Sequence, residues 1–295
     1  MREEAVAVVP KSARLSVRDF AMLTKPRLST QVLFTAGGAM WLATGPLSLR
    51  SWLVLLAIHG VVGAACAFNC VLERETDKFM ARTRNRPLPA GRMDAMTAVV
   101  FASALAAISI PALALLANGL TALLGCAALL LYVWIYTPLK PKTHWAMVVG
   151  AVPGAIPPLM GWTAVTGDVS RSAVALFLIL FFWQLPHFIA IALFRMPEYR
   201  KAGLTSVPLE LGEGAARAFA TFYAAALFVV ALLPYLYGVA HQGYLWTALL
   251  LGGAFFGMTV WGWWTDAGPK WARRLFFASL VYLTGLFAAL ALCRS

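Results

Sequence analysis

Long apolar stretches, each about as long as one membrane crossing, alternate with short polar connections along most of the chain. A helix needs about 20 apolar residues to cross a hydrocarbon core of about 30 Å. Backbone groups inside a bilayer must also be hydrogen-bonded within the protein, which helices achieve. The pattern therefore predicts an all-α, polytopic membrane protein whose nine transmembrane helices surround a central cavity. We expect them near 28–45, 51–72, 96–117, 119–137, 145–165, 172–194, 217–237, 243–263 and 272–293.

The composition supports this prediction and restricts the alternatives. Of the 295 residues, 61% are hydrophobic and only 12% are charged, whereas soluble domains carry about 25% charged residues. Nine crossings leave no room for a sizeable soluble domain. We divide the chain into a polar N-terminal segment, 1–27, and a single transmembrane domain, 28–295. The net charge of +12 is better explained by membrane topology than by nucleic-acid binding, and we expect no nucleic-acid partner.

The charged residues are distributed unequally between the two membrane faces. The N-terminal segment and the longer connections lie on one face and carry 21 of the 24 lysines and arginines. Because such residues are retained in the cytoplasm, we expect the N-terminus to be cytoplasmic. The same face carries 11 of the 12 acidic residues, which contribute little to orientation. Their concentration there indicates a polar site on the cytoplasmic side.

The strongest candidate site lies where the second predicted helix reaches that face. If the helix continues, Asn69, Glu73 and Asp77 share one side of it at intervals of four residues. One amide and two carboxylates supply the oxygen ligands that suit Mg²⁺ together with a substrate's phosphate groups. The alternative is a solvated helix end in which Glu73 and Asp77 pair with their neighbours Arg74 and Lys78.

Basic residues follow this segment and recur in the next cytoplasmic connection. Arg82 and Arg86 lie in a loop with proline and glycine stops, and Lys140 and Lys142 follow the fourth predicted helix. Guanidinium groups pair with phosphate oxygens, so these side chains are candidates for binding diphosphate. They are equally open to an interpretation in which they only fix topology and contact anionic lipids.

A second polar segment follows the sixth predicted helix, four helices after the first. It contains Glu198 and Tyr199, and His187 lies earlier in the same helix within an apolar run. A lone helical histidine often makes only a structural hydrogen bond, so a site role and a structural role stay open. A four-helix repeat would bring the two carboxylate segments face to face. The glycines and prolines between Gly150 and Gly161 either line the cavity or pack against neighbours.

Three segments resemble the UbiA superfamily of intramembrane prenyltransferases, and within it the branch that farnesylates heme. They are NCVLERETDKFMARTRNRPLPAG from Asn69, YTPLKPKTHWAMVVGAVPGAIPPLMGWTAVTG from Tyr136, and FFWQLPHFIAIALFRMPEYRKAG from Phe181. The chain departs from the pattern in carrying Glu73 and Glu198 where aspartate is common. It also carries Pro197 where the family has another acidic residue.

The resemblance implies transfer of a farnesyl group from farnesyl diphosphate to a vinyl group of heme B, in a bacterial inner membrane, with the active site facing the cytoplasm. It implies Mg²⁺ as cofactor, with membrane lipid and a downstream heme-modifying enzyme or terminal oxidase assembly as further partners. Asn69, Glu73, Asp77 and Glu198 would be the catalytic and metal-binding residues. Arg82, Arg86, Lys140, Lys142, His187 and Tyr199 would bind the substrates, with His187 contacting heme.

Two other functions remain open from the sequence. The first keeps the family but changes the acceptor to a quinone precursor or a chlorophyll-like ring. The second is a secondary transporter, which the possible repeat and the helix broken by glycine and proline would suit. A transporter should carry its polar residues near the bilayer midplane, whereas here they gather at one interface.

Overall fold

The chain is helical almost throughout in the computed structural model, which describes residues 16–294. Within that range the one β-type pairing is an isolated bridge between Ala240 and Arg294. In chain order the helices are α1 (Val17–Leu23), α2 (Pro26–Thr44), α3 (Leu49–Leu72), α4 (Ala95–Leu116), α5 (Gly119–Leu139), α6 (Ala146–Thr166), α7 (Arg171–Phe194), α8 (Met196–Lys201), α9 (Val207–Glu210), α10 (Gly212–Leu236), α11 (Gln242–Trp264) and α12 (Pro269–Leu292).

Each of the nine predicted helices coincides with a long helix of the structure, and the all-α membrane fold is confirmed. Eight of the long helices in residues 16–294 are long and apolar enough to cross a membrane. The ninth, α2, is 19 residues long but begins with several polar residues and is not among the eight. The count of nine crossings, the central cavity and the cytoplasmic N-terminus stay predictions. Most of the predicted N-terminal segment, residues 1–15, lies outside the described residues.

The helix ends follow local sequence chemistry. Side chains of Ser48, Asp94, Asn118 and Ser170 each accept a hydrogen bond from a backbone N–H in the first turn of α3, α4, α5 and α7 respectively. Such caps satisfy donors that a helix start leaves without partners. Three of these caps follow short connections, whereas Asp94 ends the long connection between α3 and α4.

Two large apolar cores divide the bundle, and a smaller third one packs α1 against parts of α3 and α4. One is built from buried side chains of α2 to α5 and α6, including Met40, Ile58 and Met160. The other is centred on α7 and α10 to α12, with Ile179 and Leu275 among its fully buried members. Many large apolar side chains on the outer surface are exposed, such as Leu115 and Leu250, which is expected of helices that face lipid.

The glycines of α6 allow close packing between helices. A Cβ added at Gly161 would lie 2.1 Å from the carbonyl oxygen of Ala36 in α2, and one at Gly150 would lie 2.4 Å from the ring of Tyr136. Small residues allow helix backbones to approach in this way. At these two positions the packing interpretation is the correct one.

The longer connections lie together at one end of the bundle. A salt bridge joins Glu73, just after α3, to Lys140, just after α5. Another joins Arg217, near the start of α10, to Asp266, between α11 and α12. We call this the acidic end, because it gathers most of the carboxylates of the chain.

Candidate active site

Helix α3 ends near residue 72, as the sequence predicts, and does not continue to Asp77, so a continuous helix is not what aligns the three side chains. α3 ends at Leu72, Glu73 caps it, and Asp77 lies in a short 3₁₀ turn, Thr76–Phe79. Two backbone hydrogen bonds nevertheless preserve the four-residue spacing. The N–H of Glu73 donates to the carbonyl of Asn69 at 2.9 Å, and the N–H of Asp77 donates to the carbonyl of Glu73 at 2.8 Å.

Asn69 is fully buried and its amide is oriented by α5. A π-helical turn, Leu131–Tyr136, precedes Thr137, and the Thr137 hydroxyl donates its proton to the carbonyl of Tyr132 at 2.8 Å. That hydroxyl can therefore only accept from the Asn69 Nδ2 group, 3.1 Å away. The Oδ1 of Asn69 is left facing the other way, as an acceptor. Such π turns are often found at functional sites.

The acceptor oxygen of Asn69 is bonded by Lys25, which the sequence analysis did not single out. The Lys25 Nζ donates to Asn69 Oδ1, although the two residues are 44 positions apart. The backbone of Lys25 is left-handed, with φ of 51°, a conformation that costs energy for a residue with a side chain. A lysine directly before Pro26 was the only sequence signal.

Glu73 forms a salt bridge of 2.6 Å with Lys140. Burial raises the pKa of the Glu73 carboxyl, but attraction to Lys140 and Lys25 outweighs it, so the pKa lies below its usual value. Burial likewise opposes the charge on Lys140, yet attraction to Glu73 holds the pKa of Lys140 well above its usual value. Lys140 also lies over the ring of Tyr136, 4.6 Å from its centroid. Both groups are therefore charged at neutral pH.

Asp77 is completely buried and is paired with Arg86 at 2.7 Å. Burial lowers the pKa of the Arg86 guanidinium, but attraction to Asp77 outweighs this, and the pKa is raised. The backbone carbonyl of Asp77 accepts from the Thr83 hydroxyl at 2.8 Å, which fixes the loop. The second carboxylate oxygen, Oδ1, is buried without a hydrogen-bond partner within the described residues.

The interpretation of this segment as a solvated helix end with local ion pairs is wrong for these two carboxylates. The local ion pairs are made instead by Glu75, which contacts Lys78 and Arg74 and is largely exposed. Glu73 and Asp77 turn inward instead, Glu73 to Lys140 of a distant connection and Asp77 to Arg86, nine residues later in the same one. Arg82 and Lys142 are exposed, and their substrate roles stay predictions.

The second carboxylate segment lies on α8. Glu198 pairs with Arg195, three residues earlier, at 2.7 Å, and its Oε2 is buried without a hydrogen-bond partner within the described residues. Tyr199 beside it is half-buried. The segment is linked to the first through Lys140, whose carbonyl accepts from the backbone N–H of Thr205 at 3.1 Å and from its hydroxyl at 2.9 Å.

The buried oxygens of Asp77 and Glu198 fit a divalent metal. Each is an unpartnered carboxylate oxygen, a hard ligand of the kind that Mg²⁺ prefers. No three His, Cys, Asp or Glu side chains within residues 16–294 are gathered closely enough to hold an ion by themselves. Mg²⁺ commonly takes only one or two protein carboxylates and completes its shell with water and substrate phosphates. The role of Asn69, Glu73, Asp77 and Glu198 as ligands stays a prediction.

His187 lies deeper, in α7, about seven residues before the helix ends at the acidic end of the bundle. Its Nδ1 lies 2.7 Å from the hydroxyl oxygen of Ser279 in α12. The ring stacks on Trp183 and packs at a tilt against Phe276, with centroid distances of 4.9 and 4.8 Å. Ser279 was missed by the sequence analysis, because nothing local to a serine in an apolar helix indicates a partner 92 residues away.

Fold and site together define a polytopic helical membrane protein with buried side-chain oxygens paired with lysine or arginine side chains at one end of its bundle. The UbiA prenyltransferase family model matches residues 32–281. The chain therefore belongs to the UbiA prenyltransferase family.

Curated relatives match over nearly the whole chain. A protoheme IX farnesyltransferase of Myxococcus xanthus (strain DK1622) is 58% identical over 277 residues, 94% of each chain. A protein of the same name from Anaeromyxobacter dehalogenans (strain 2CP-C) is 48% identical over 279 residues, again 94% of each chain.

Solved structures share the fold at low sequence identity. A digeranylgeranylglyceryl phosphate synthase superposes with a TM-score of 0.80 at 17% identity, covering 94% of this chain and 98% of the other. A UbiA homologue of Archaeoglobus fulgidus, solved bound to GPP and Mg²⁺, has a TM-score of 0.63 at 17% identity and covers 92% and 99%.

Proposed function

We propose that this chain transfers the farnesyl group of farnesyl diphosphate to a vinyl group of heme B and releases diphosphate. The observation that carries the proposal is the group of three buried oxygen ligands, on Asn69, Glu73 and Asp77, each bonded by a different lysine or arginine. The acceptor is supported by the name protoheme IX farnesyltransferase, which relatives carry at 48% and 58% identity over 94% of the chain.

The paired cations and oxygens give the site two uses. Without substrate, Lys140 and Arg86 neutralise Glu73 and Asp77, and Lys25 donates a hydrogen bond to the uncharged Asn69 amide. With diphosphate present, the same cations donate to phosphate oxygens and stabilise the leaving group. Arg82 and Lys142, which are exposed at the same end, would then contact the outer phosphate.

Magnesium fits among Asn69, Glu73, Asp77 and Glu198, where it would neutralise the diphosphate and so favour its departure. The protein residues do the positioning. Thr137 directs the Asn69 oxygen, Arg86 and Thr83 fix Asp77, and Lys140 ties the first carboxylate segment to the second.

The charged side chains at the acidic end and the apolar helices that lead away from it suit the two steps of farnesyl transfer. The bond between C1 of the farnesyl chain and the diphosphate oxygen breaks, and C1 bonds to the terminal vinyl carbon. Water then adds to the adjacent carbon and loses a proton. Aromatic side chains stabilise positive charge and keep water away until the carbon bond forms. His187 lies about 10 Å inside the end of α7, within reach of a heme whose vinyl edge faces the diphosphate.

The cellular setting is proposed on the same basis. The acidic end carries most of the carboxylates, but it carries even more lysines and arginines. This excess of basic residues supports a cytoplasmic active site in a bacterial inner membrane. Lipid would surround the exposed apolar helices. The product would pass to a heme-modifying enzyme or a terminal oxidase assembly.

Of the alternatives, a quinone precursor or chlorophyll-like acceptor keeps the same donor chemistry. A secondary transporter is disfavoured, because the chain belongs to a prenyltransferase family and its paired charges lie at a helix end.

The test is an assay of the purified chain with farnesyl diphosphate, Mg²⁺ and heme B. We expect pyrophosphate release and a heme product whose mass has increased by one farnesyl group and one hydroxyl group. Parallel reactions with a quinone precursor and with a chlorophyll-like ring identify the acceptor. Farnesyl transfer only to one of those, or no transfer at all, would reject heme B as the substrate.

A further inference from the structure

Ser279 makes three polar contacts that together hold one imidazole. Its hydroxyl lies 2.7 Å from His187 Nδ1 and 2.7 Å from the carbonyl oxygen of Phe276. Its own carbonyl accepts from the indole N–H of Trp183 at 2.7 Å. Trp183 in turn stacks on the His187 ring at an interplanar angle of 27°. A single fully buried serine of α12 thus anchors both the histidine and the ring that covers it.

The tautomer of His187 follows from where the Ser279 hydroxyl sends its one proton, to the Phe276 carbonyl or to His187 Nδ1. The carbonyl oxygen can only accept, whereas Nδ1 can also donate, so donation by Ser279 to Phe276 is the arrangement that supplies a proton to both contacts. Towards His187 the Ser279 oxygen can then only accept, and Nδ1 must be the donor. The neutral imidazole consequently has its lone pair on Nε2. No hydrogen bond to Nε2 is made by the residues that the structure describes.

The ring is also held in one plane. Trp183 and Phe276 pack on it at 27° and 34°, and Phe188 lies against it edge-on at 5.9 Å. Rotation about the side chain would break the Ser279 bond and both stacking contacts. An unprotonated nitrogen is therefore presented in a fixed direction, inside an apolar part of the bundle.

We infer that Ser279 is a positioning residue that fixes His187 as a neutral, Nε2-directed axial ligand for the iron of the heme acceptor. The inference rests on the proposed function, because it takes heme as the acceptor. Histidines that bind metals usually donate their other N–H to a fixed acceptor, which sets the tautomer and strengthens the ligand. Here the acceptor is a serine hydroxyl whose own proton is already used.

The experiment compares two porphyrins, ferric heme B and metal-free protoporphyrin IX, binding to the purified full chain in lipid nanodiscs. The variants are His187→Ala, Ser279→Ala and Ser279→Thr. Ser109→Ala is a matched control, since Ser109 is another buried serine of a membrane helix. Absorption and electron paramagnetic resonance spectra report an axial nitrogen on the iron, and titrations report affinity.

We expect the wild type to show a nitrogen-ligated ferric heme and His187→Ala to lose that signature. Ser279→Ala should weaken heme binding by about tenfold or more while changing protoporphyrin binding less than about twofold. Ser279→Thr, which keeps the hydroxyl, and Ser109→Ala should resemble the wild type in both titrations.

Two results would overturn the inference. One is an unchanged heme spectrum and affinity in Ser279→Ala. The other is equal weakening for both porphyrins, which would mean that Ser279 only supports packing. Farnesyl transfer by the same wild-type preparation is measured separately. A chain that ligates heme through His187 but transfers no farnesyl group would reject the proposed function and leave the ligation intact.

Discussion

The two carboxylate segments at the acidic end are held in different ways. In the first, Asn69, Glu73 and Asp77 contact Lys25, Lys140 and Arg86 respectively, and the first two of these contacts span 44 and 67 residues. In the second, the one ion pair of Glu198 within residues 16–294 is with Arg195, three residues earlier. Their burial differs as well, since the Asp77 side chain is 1% exposed and that of Glu198 is 28% exposed.

The difference separates structural roles from functional ones. Buried ion pairs that join distant segments are costly to break, because the remaining charge loses its partner. A half-exposed pair within one helix contributes little to stability. Substitutions in the first segment should therefore damage both fold and activity, whereas those in the second should affect activity almost alone.

The largest effect is expected for Asp77→Asn. Loss of one oxygen ligand and one negative charge should reduce farnesyl transfer by about 10³-fold. The variant should also lose up to about 3 kcal/mol of stability, because Arg86 stays buried without an ionic partner. Turnover measurements and thermal unfolding of the purified protein check both effects.

The matched control for Asp77→Asn is Glu75→Gln, two residues away. Glu75 is 68% exposed and pairs with Lys78 at the surface. The Glu75→Gln variant should keep its activity within about twofold of the wild type and unfold at the wild-type temperature. Equal losses in the two variants would mean that negative charge in the loop, and not the Asp77 side chain, is what matters.

Glu198→Gln should reduce activity by about 10²-fold and change stability by less than about 1 kcal/mol. It removes an oxygen charge but breaks only a local pair. Glu198→Asp, which restores the residue type common in the family, should recover most of the activity. If Glu198→Gln unfolded as readily as Asp77→Asn, the contrast between the two segments would be wrong.

The sequence predicted the helices and the chemistry of the site better than its contacts. Helix positions follow from hydropathy, and Asn69, Glu73 and Asp77 are recognisable from spacing. The sequence predicted the end of α3 near residue 72 but not the 3₁₀ turn that carries Asp77, since glutamate and arginine are good helix formers and the inward contacts of Glu73 and Asp77 override that propensity. Lys25 and Ser279 were missed because their partners are fixed by helix packing.

The salt bridge between Glu73 and Lys140 predicts a pH dependence. A carboxyl whose pKa is lower in the folded state stabilises the fold at pH values above its pKa in the unfolded state, near 4.5. That contribution is lost as the pH falls through the folded value. At neutral pH, Glu73→Gln should be about 2 kcal/mol less stable than the wild type, and the gap should narrow as the pH falls below the unfolded value of 4.5.

Thermal unfolding of wild type and Glu73→Gln between about pH 3.5 and 7 measures this gap. Asp168→Asn serves as control, because Asp168 is exposed at the opposite end of the bundle. A gap of constant size across the range would show that the carboxylate charge of Glu73 does not stabilise the fold.

The smallest effect is expected at Lys25. Its contact with Asn69 requires the lysine side chain, whereas its left-handed backbone favours glycine. Lys25→Ala and Lys25→Gly both remove the ammonium that bonds Asn69, so both should raise the KM for farnesyl diphosphate equally. Only glycine relieves the left-handed backbone at φ of 51°, so Lys25→Gly should be more stable than Lys25→Ala by about 1 kcal/mol. Kinetic measurements on the two variants report the loss of the contact with Asn69, and thermal unfolding reports the effect on the backbone. Equal stability would mean that the backbone relaxes once the ammonium is gone, and that the contact with Asn69 is what imposes the conformation.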